Sequence, residues 1–110
     1  MEQELLANIR TFLGSAELVY HHQDYTSATI LYFKTLFVAL DLIIFRKKRI
    51  TPKDHNERFR ILQKEFLPEY QLVDKYFRIY QSTYSTAVDK QTCEEVRNHV
   101  RKIVQEQVGI

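Results

Sequence analysis

The sequence predicts an all-α fold, an up-and-down antiparallel bundle of four long helices and one short helix. Apolar residues recur at steps of three and four through most of the 110 residues, which is the spacing of one helical face. Only two glycines and two prolines occur, so few positions interrupt a helix. The sequence lacks the alternating runs and Asn-Gly turns that indicate strands. A chain of this length predicts a single domain over residues 1–110.

The first two helices follow from the apolar pattern. The first is expected from about Gln3 to Tyr20, and the second from Asp24, whose carboxylate can cap free amides, to about Lys47. The second helix is apolar on almost every side, which indicates a central position or a covering partner chain. Three polar residues interrupt it at steps of seven and share one face: Ser27, Lys34 and Asp41. This face is either a solvated seam or a polar groove for a ligand or a second subunit.

Capping signals predict where the third helix lies. Thr51 is expected to be its N-cap, with Pro52 at the first helical position, where no amide donor is needed. Asp54 then completes a capping-box-like arrangement. The helix is expected to stop at Leu67-Pro68.

The fourth helix is expected from about Glu69 to Thr83, before a loop rich in Ser and Thr. Either Asp89 or Thr92 is expected to open the fifth helix. Cys93 lies on the apolar face of that helix, beside acidic residues that raise a thiol pKa, so we expect it to pack in the core.

Positive charge is concentrated where the second helix meets the third. Residues 46–64 contain eight Lys or Arg residues and two acidic residues, whereas the whole chain has a net charge of only +2. Such a surface favours an acidic partner, and both arginine and lysine bind phosphate. The candidate phosphate-binding residues, which we call the basic joint, are Arg46, Lys47, Lys48, Arg49, Lys53, His55 and Arg58. The alternatives are a solvated helix end and, for His55, a packed histidine.

Several site types lack a signal in this sequence. The four histidines and one cysteine form no i, i+4 His pair and no Cys-x-x-Cys unit, so no metal site is expected. No glycine-rich phosphate loop occurs, and no cofactor is predicted. The densest apolar run, Leu36 to Phe45, is far shorter than the roughly 20 residues of a membrane span. The acidic N-terminus is unlike a signal peptide, so we expect a cytoplasmic protein without membrane contact.

Tyrosines form a second group around Arg78 on the fourth helix: Tyr70, Tyr76, Tyr80 and Tyr84. Their rings either fill the core or form a stacking surface for a base, with Arg78 contacting phosphate.

Three segments together suggest a family. Asp24 to Leu40 has an alanine and aromatic residues before a long aliphatic stretch, and Lys53 to Phe59 begins a helix with a histidine. Tyr76 to Ser85, followed by Thr92 to Val96, reads as a penultimate helix, a loop and a final helix. In these patterns of residue class, nearly the whole chain resembles the HEPN domain, the nucleotide-binding domain of higher eukaryotes and prokaryotes. The resemblance implies a compact bundle of four or five helices.

Active members of that family are metal-independent ribonucleases with an Arg-x4–6-His motif near the end of the penultimate helix. At that spacing after Arg78 this chain has Thr83, Tyr84 and Ser85, so a tyrosine replaces the base. An ordinary tyrosine is almost entirely protonated at neutral pH. Arg49 and His55 have the right spacing but span a different joint. The resemblance therefore implies the family's binding role, a nucleotidyltransferase partner and homodimer formation.

The leading hypothesis is a non-catalytic HEPN-like module that binds nucleotide or RNA phosphates through the basic joint and acts with a partner. One alternative is a metal-independent endoribonuclease toxin of a toxin-antitoxin pair, with Arg78 and either Tyr84 or His99 as catalytic residues. Another is a purely structural dimerisation bundle. A homodimer is also expected because the second helix is more apolar than its neighbours can cover.

Overall fold

The computed structural model describes residues 1–109 and contains no strand in that range. Its elements are α1 (Glu2–His21), α2 (Tyr25–Lys48), α3 (His55–Glu65), α4 (Leu67–Ser82), α5 (Lys90–Ile103) and a π-helical turn (Val104–Val108). The prediction of an all-α bundle with four long helices and one short helix is confirmed.

Helix α2 is the centre of the bundle. Eleven of its 24 residues are buried, and α1, α5 and α4 pack around it. By length and composition alone α2 could span a membrane, but 61% of its most apolar 18-residue window is buried inside the bundle. Two buried threonines, Thr29 and Thr35, donate their hydroxyls to backbone carbonyls one turn earlier, at 2.7 and 2.8 Å. Their polar groups are therefore satisfied within the core.

Contacts along α2 show the direction of its neighbours. α1 is antiparallel to α2, because Glu2 at its start bonds Arg46 while the ring of Tyr20 at its end lies 5.8 Å from that of Tyr25. α4 is also antiparallel to α2.

The short helix α3 runs in the same direction as α2. His55 at its start lies against Phe37, with ring centroids 4.6 Å apart, and Glu65 at its end pairs with Lys48. The connection between α2 and α3 therefore doubles back along α2. α2 ends at Arg49, which has a left-handed backbone with φ of 60°. α3 then begins beside the middle of α2.

This return path corrects the predicted start of α3. Asp54, and not Thr51, is the N-cap, and its Oδ1 accepts a 2.8 Å hydrogen bond from the Glu57 amide. Thr51 and Pro52 lie in the connection and are not part of the helix. Thr51 does not cap the helix because residues 50–53 form the connection that brings the chain back along α2.

The start of α4 also differs from the expectation. The helix begins at Leu67, and Pro68 lies in its first turn, where a missing amide hydrogen costs nothing. Pro68 therefore belongs to the start of α4 and not only to the stop after α3. Of the two candidates for the start of α5, Asp89 is the cap, since its Oδ1 accepts from the Thr92 amide at 2.7 Å.

Candidate functional site

Three members of the basic joint are held in ion pairs, and two of them, Arg46 and Lys48, lie near the end of α2. Arg46 donates from Nε to Glu2 Oε1 at 2.9 Å and from Nη1 to the Gln107 carbonyl at 2.9 Å. Lys48 Nζ lies 2.6 Å from Glu65 Oε2, and this hydrogen bond lowers the pKa of the Glu65 carboxyl. These two cations tie the end of α2 to the start of α1, to the C-terminal turn and to the end of α3.

The other exposed cations of the joint form no ion pair within residues 1–109. Two of them lie over aromatic rings. Lys47 Nζ lies 5.1 Å from the ring centre of Phe66, and the Arg49 guanidinium lies 5.5 Å from that of Phe45. Lys53 is exposed in the connection. No ion pair within residues 1–109 includes any of these three cations, which we call the cation strip: Lys47, Arg49 and Lys53.

Arg58 is turned inward, unlike the rest of the predicted patch. It is 8% exposed and donates twice to Asp41, from Nε at 2.7 Å and from Nη2 at 3.0 Å. Its guanidinium also lies 5.2 Å from the centre of the Phe37 ring. Arg58 is therefore part of the scaffold that fixes α3, and its charge is already matched by Asp41. This pair also explains Asp41, the acidic residue in the predicted polar seam of α2.

His55 completes this network. Arg58 Nη1 lies 2.7 Å from His55 Nδ1, and a guanidinium nitrogen has only hydrogens to offer, so Nδ1 is the acceptor. The ring proton then resides on Nε2, which has no hydrogen-bond partner among residues 1–109 and is not fully buried. Burial, reinforced by the charge of Arg58, lowers the pKa of His55 from 6.5. In this state His55 is a neutral donor and not a base.

Three aromatic rings surround the His55 imidazole. Phe37 lies edge-on at 4.6 Å, Phe77 at 5.8 Å and Tyr80 at 6.0 Å between ring centroids. These rings come from α2 and α4, so His55 fills the corner between three helices. The imidazole is therefore packed between aromatic rings, while its Nε2 has no hydrogen-bond partner within residues 1–109.

The residues of the ribonuclease alternative have separate neighbours. Arg78 is exposed, beside Asp74 and Ser82 on one surface of α4. Tyr84 is 81% exposed with its hydroxyl 3.5 Å from that of Tyr80, whereas His99 on α5 lies against the Tyr76 ring at 5.0 Å. No hydrogen bond or ring contact within residues 1–109 joins Arg78, Tyr84 and His99.

The tyrosines of α4 therefore divide between core and surface. Tyr76 is buried, Tyr70 and Tyr80 are half-buried, and only Tyr84 is well exposed. The hydrogen bond with Tyr84, together with burial, raises the pKa of Tyr80, so its hydroxyl stays protonated at neutral pH. A stacking surface for bases would have to use Tyr84 almost alone.

A second charged network was not predicted from the sequence. Glu17 on α1 accepts from Arg97 on α5 at 2.9 and 3.1 Å and lies 3.6 Å from Arg101. The Arg97 guanidinium also lies 4.5 Å from the centre of the Tyr20 ring. This network joins α1 to α5 and includes none of the candidate phosphate-binding residues, and Glu17 offsets one of its two positive charges. We assign it a structural role.

Metal and thiol chemistry find no support in residues 1–109. Within that range no group of three His, Cys, Asp or Glu side chains is placed to hold a metal ion. Cys93 is fully buried, and this burial raises the pKa of its thiol. A buried, protonated thiol is a poor nucleophile, so Cys93 acts as a small core residue.

Comparisons of the chain with protein-family models, curated proteins and solved structures found no match. The likeness to the HEPN domain stays a prediction from the residue pattern. The function proposed for this chain therefore depends on the chemistry of its side chains.

Proposed function

We propose that this bundle is a non-catalytic cytoplasmic module that binds RNA or nucleotide phosphates through the cation strip and acts with a partner protein. One observation carries the proposal: no acidic side chain in residues 1–109 forms an ion pair with Lys47, Arg49 or Lys53, which lie at the end of α2 and in the connection to α3. Cations free of acidic partners remain available for phosphate oxygens.

The shape of the strip favours RNA over a single nucleotide. Lys47 contacts Phe66 where α3 meets α4, whereas Lys53 precedes His55, which contacts Phe37. Phe37 and Lys47 are ten residues apart along α2, which corresponds to about 15 Å. Charges distributed over such a length match successive phosphates of a polynucleotide backbone better than one compact phosphate group.

Aromatic rings support the two cations at the end of α2. Lys47 and Arg49 each lie over a phenylalanine ring, which attracts the cation and restricts its side chain. A restricted side chain loses less conformational entropy when it binds phosphate. Arg46 and Lys48 flank the strip and add positive potential, although each already has an acidic partner.

The neutral state of His55 supports a binding role without catalysis. Its Nδ1 is occupied by Arg58 and its Nε2 has a proton to donate, so it can hydrogen-bond a phosphate oxygen but cannot accept a proton from a hydroxyl.

Partners belong to the same proposal. We propose two partners. The family resemblance implies a nucleotidyltransferase, and the second partner is another copy of this chain. The reason for a homodimer rests on apolar residues of α2 that stay half-buried, among them Leu31, Val38, Ile43 and Phe45, because eleven other residues of that helix are buried within one chain.

The direct test is a titration of the purified protein with a fluorescently labelled single-stranded RNA, followed by anisotropy at several salt concentrations. Binding should weaken steeply as salt rises, because phosphate contacts release counterions. An equimolar series with a mononucleotide should bind more weakly. The absence of RNA binding at low salt, or binding that salt does not change, would refute the proposal.

A further inference from the structure

His55 lies where α3 packs against α2 and α4, and its hydrogen bond with Arg58 depends on whether Nδ1 carries a proton. The 2.7 Å contact between Arg58 Nη1 and His55 Nδ1 requires a lone pair on Nδ1. A proton from solvent would take that lone pair and leave two hydrogen-bond donors, both on cations, at a distance that only a hydrogen bond makes favourable. The arrangement thus tolerates only the neutral imidazole.

We infer that His55 is a proton-operated latch: protonation of Nδ1 breaks its contact with Arg58, the imidazolium leaves its aromatic corner, and the first turn of α3 separates from α2 and α4. This inference does not depend on phosphate binding. It predicts that α3, and not the whole bundle, loosens in mildly acidic solution.

The contacts of α3 support a local opening. Its start is held by three side-chain contacts: the rings around His55, the ion pair of Arg58 with Asp41, and Phe59, which lies edge-on to Phe77 at 4.8 Å. Backbone contacts between α2 and α3 are sparse compared with those of α1 and α5, so side chains hold α3 in place. Elements with few close contacts open at lower free energy than the core.

The charged groups around His55 come from each element that packs against it. On α2, Lys34 opposes the protonated ring and Asp41 favours it; on α3 and its cap, Arg58 opposes it and Asp54 favours it. Tyr80 on α4 is uncharged at neutral pH. Asp41 accepts two hydrogen bonds from Arg58, and Asp54 caps Glu57, so neither carboxylate hydrogen-bonds the ring, and burial and Arg58 outweigh their attraction. The start of a helix also disfavours a positive charge.

The direction of the pH effect follows from these groups. Burial and Arg58 hold the pKa of His55 in the folded chain below its ordinary 6.5, so the unfolded or opened state binds the proton more tightly. The stabilisation from neutral His55 is complete above about pH 6.5. It declines as the pH falls below that value and is lost once the pH has passed through the lower folded-state pKa.

The test is hydrogen–deuterium exchange at about pH 7.5 and about pH 5, corrected for the intrinsic pH dependence of exchange. Peptides within residues 55–65 of the wild-type chain should lose protection by about tenfold at the lower pH, relative to peptides of α1. The His55→Asn chain should not show this loss, because an asparagine amide oxygen accepts from Arg58 without titrating. The matched control His99→Asn, at an exposed histidine, should behave as wild type.

Unchanged protection of α3 in the wild-type chain, or an equal loss in His55→Asn, would overturn the latch. If His55→Asn does not fold, the wild-type chain still decides. Long-range ¹⁵N–¹H NMR spectra should show His55 protonated on Nε2 alone at neutral pH, with a pKa below the ordinary histidine value of about 6.5. A proton on Nδ1 at neutral pH, or a His55 pKa above the ordinary histidine value of about 6.5, would refute the inference.

Discussion

Asp41 and Arg58 form a doubly hydrogen-bonded ion pair between α2 and α3, with N–O distances of 2.7 and 3.0 Å. Their side chains are 13% and 10% exposed. An acid in the middle of an apolar helix needs such a partner, because a buried charge without one is costly. The pair therefore fixes where α3 lies on α2, and with it the position of His55.

Removal of one member of this pair should destabilise the fold. Arg58→Met leaves the largely buried Asp41 carboxylate without its partner. Breaking a buried ion pair typically lowers the free energy of unfolding by about 3–5 kcal/mol. The double variant Asp41→Leu with Arg58→Met should recover most of that loss, since two apolar residues of similar size replace two charges. Urea denaturation followed by circular dichroism measures each free energy of unfolding.

Arg60→Met is the matched control for this prediction, because Arg60 is exposed on the same helix. Its effect should stay within about 0.5 kcal/mol. Equal losses for Arg58→Met and Arg60→Met would mean that the ion pair contributes little.

The same pair illustrates what the sequence could and could not predict. The bounds of α1 and α2 are predictable within a few residues, and one of the two candidate starts of α5 is correct, because apolar spacing and the caps Asp24 and Asp89 are local signals. The partner of Arg58 lies 17 residues away and that of Arg46 lies 44 residues away, and both depend on how helices pack. Charge at the joint was therefore predictable, whereas its division into paired and unpaired cations was not.

A substitution at the cap tests the observed start of α3. Asp54→Ala removes the 2.8 Å hydrogen bond to the Glu57 amide and should cost about 1 kcal/mol. Thr51→Ala should cost less, because Thr51 lies outside the helix and caps nothing. Thermal unfolding of both variants compares them directly. A larger loss for Thr51→Ala would restore the start predicted from the sequence.

Neutralising the cation strip should weaken RNA binding and leave the fold intact. The triple variant Lys47→Gln, Arg49→Gln, Lys53→Gln removes three candidate phosphate contacts. The slope of log affinity against log salt should then fall in magnitude by about 2, given about 0.7 per contact on a single strand. Anisotropy titrations over a salt series measure this slope, and circular dichroism verifies the fold.

A second triple variant separates specific contacts from general charge. Arg10→Gln, Lys75→Gln, Lys102→Gln removes the same charge from exposed positions outside the joint, and Lys75 also lies over an aromatic ring. Its salt slope should remain close to wild type. If both triple variants weaken binding equally, net charge and not the strip attracts RNA.

Self-association is tested by light scattering at micromolar concentration. A homodimer should scatter as twice the 13.2 kDa chain mass. Val38→Glu on the half-buried side of α2 should shift a dimer toward monomer, because a charge in an apolar interface is costly. A monomeric wild-type chain across this concentration range would contradict the dimer proposal.

The final prediction is that the chain does not cleave RNA without a metal. Cleavage needs a group that exchanges a proton near neutral pH within about 3 Å of the reacting oxygen. The Nδ1 of His55 is occupied by Arg58, and the hydroxyl of Tyr84 has only that of Tyr80 as a hydrogen-bond partner within residues 1–109. His99 lies against Tyr76 on α5 and has no contact with Arg78. None of His55, Tyr84 and His99 therefore forms an acid–base pair with another of them or with Arg78.

A labelled single-stranded transcript incubated with the protein in EDTA tests this prediction, and intact RNA is the expected result. The Arg78→Ala chain, purified in the same way, separates intrinsic activity from a contaminating nuclease, since a contaminant would cleave equally in both preparations. Cleavage by the wild-type chain that disappears in Arg78→Ala would overturn the non-catalytic proposal. His99→Asn and Tyr84→Phe would then identify the base, because the side chain that accepts the proton must abolish cleavage when it is replaced, whereas a side chain that only packs must not.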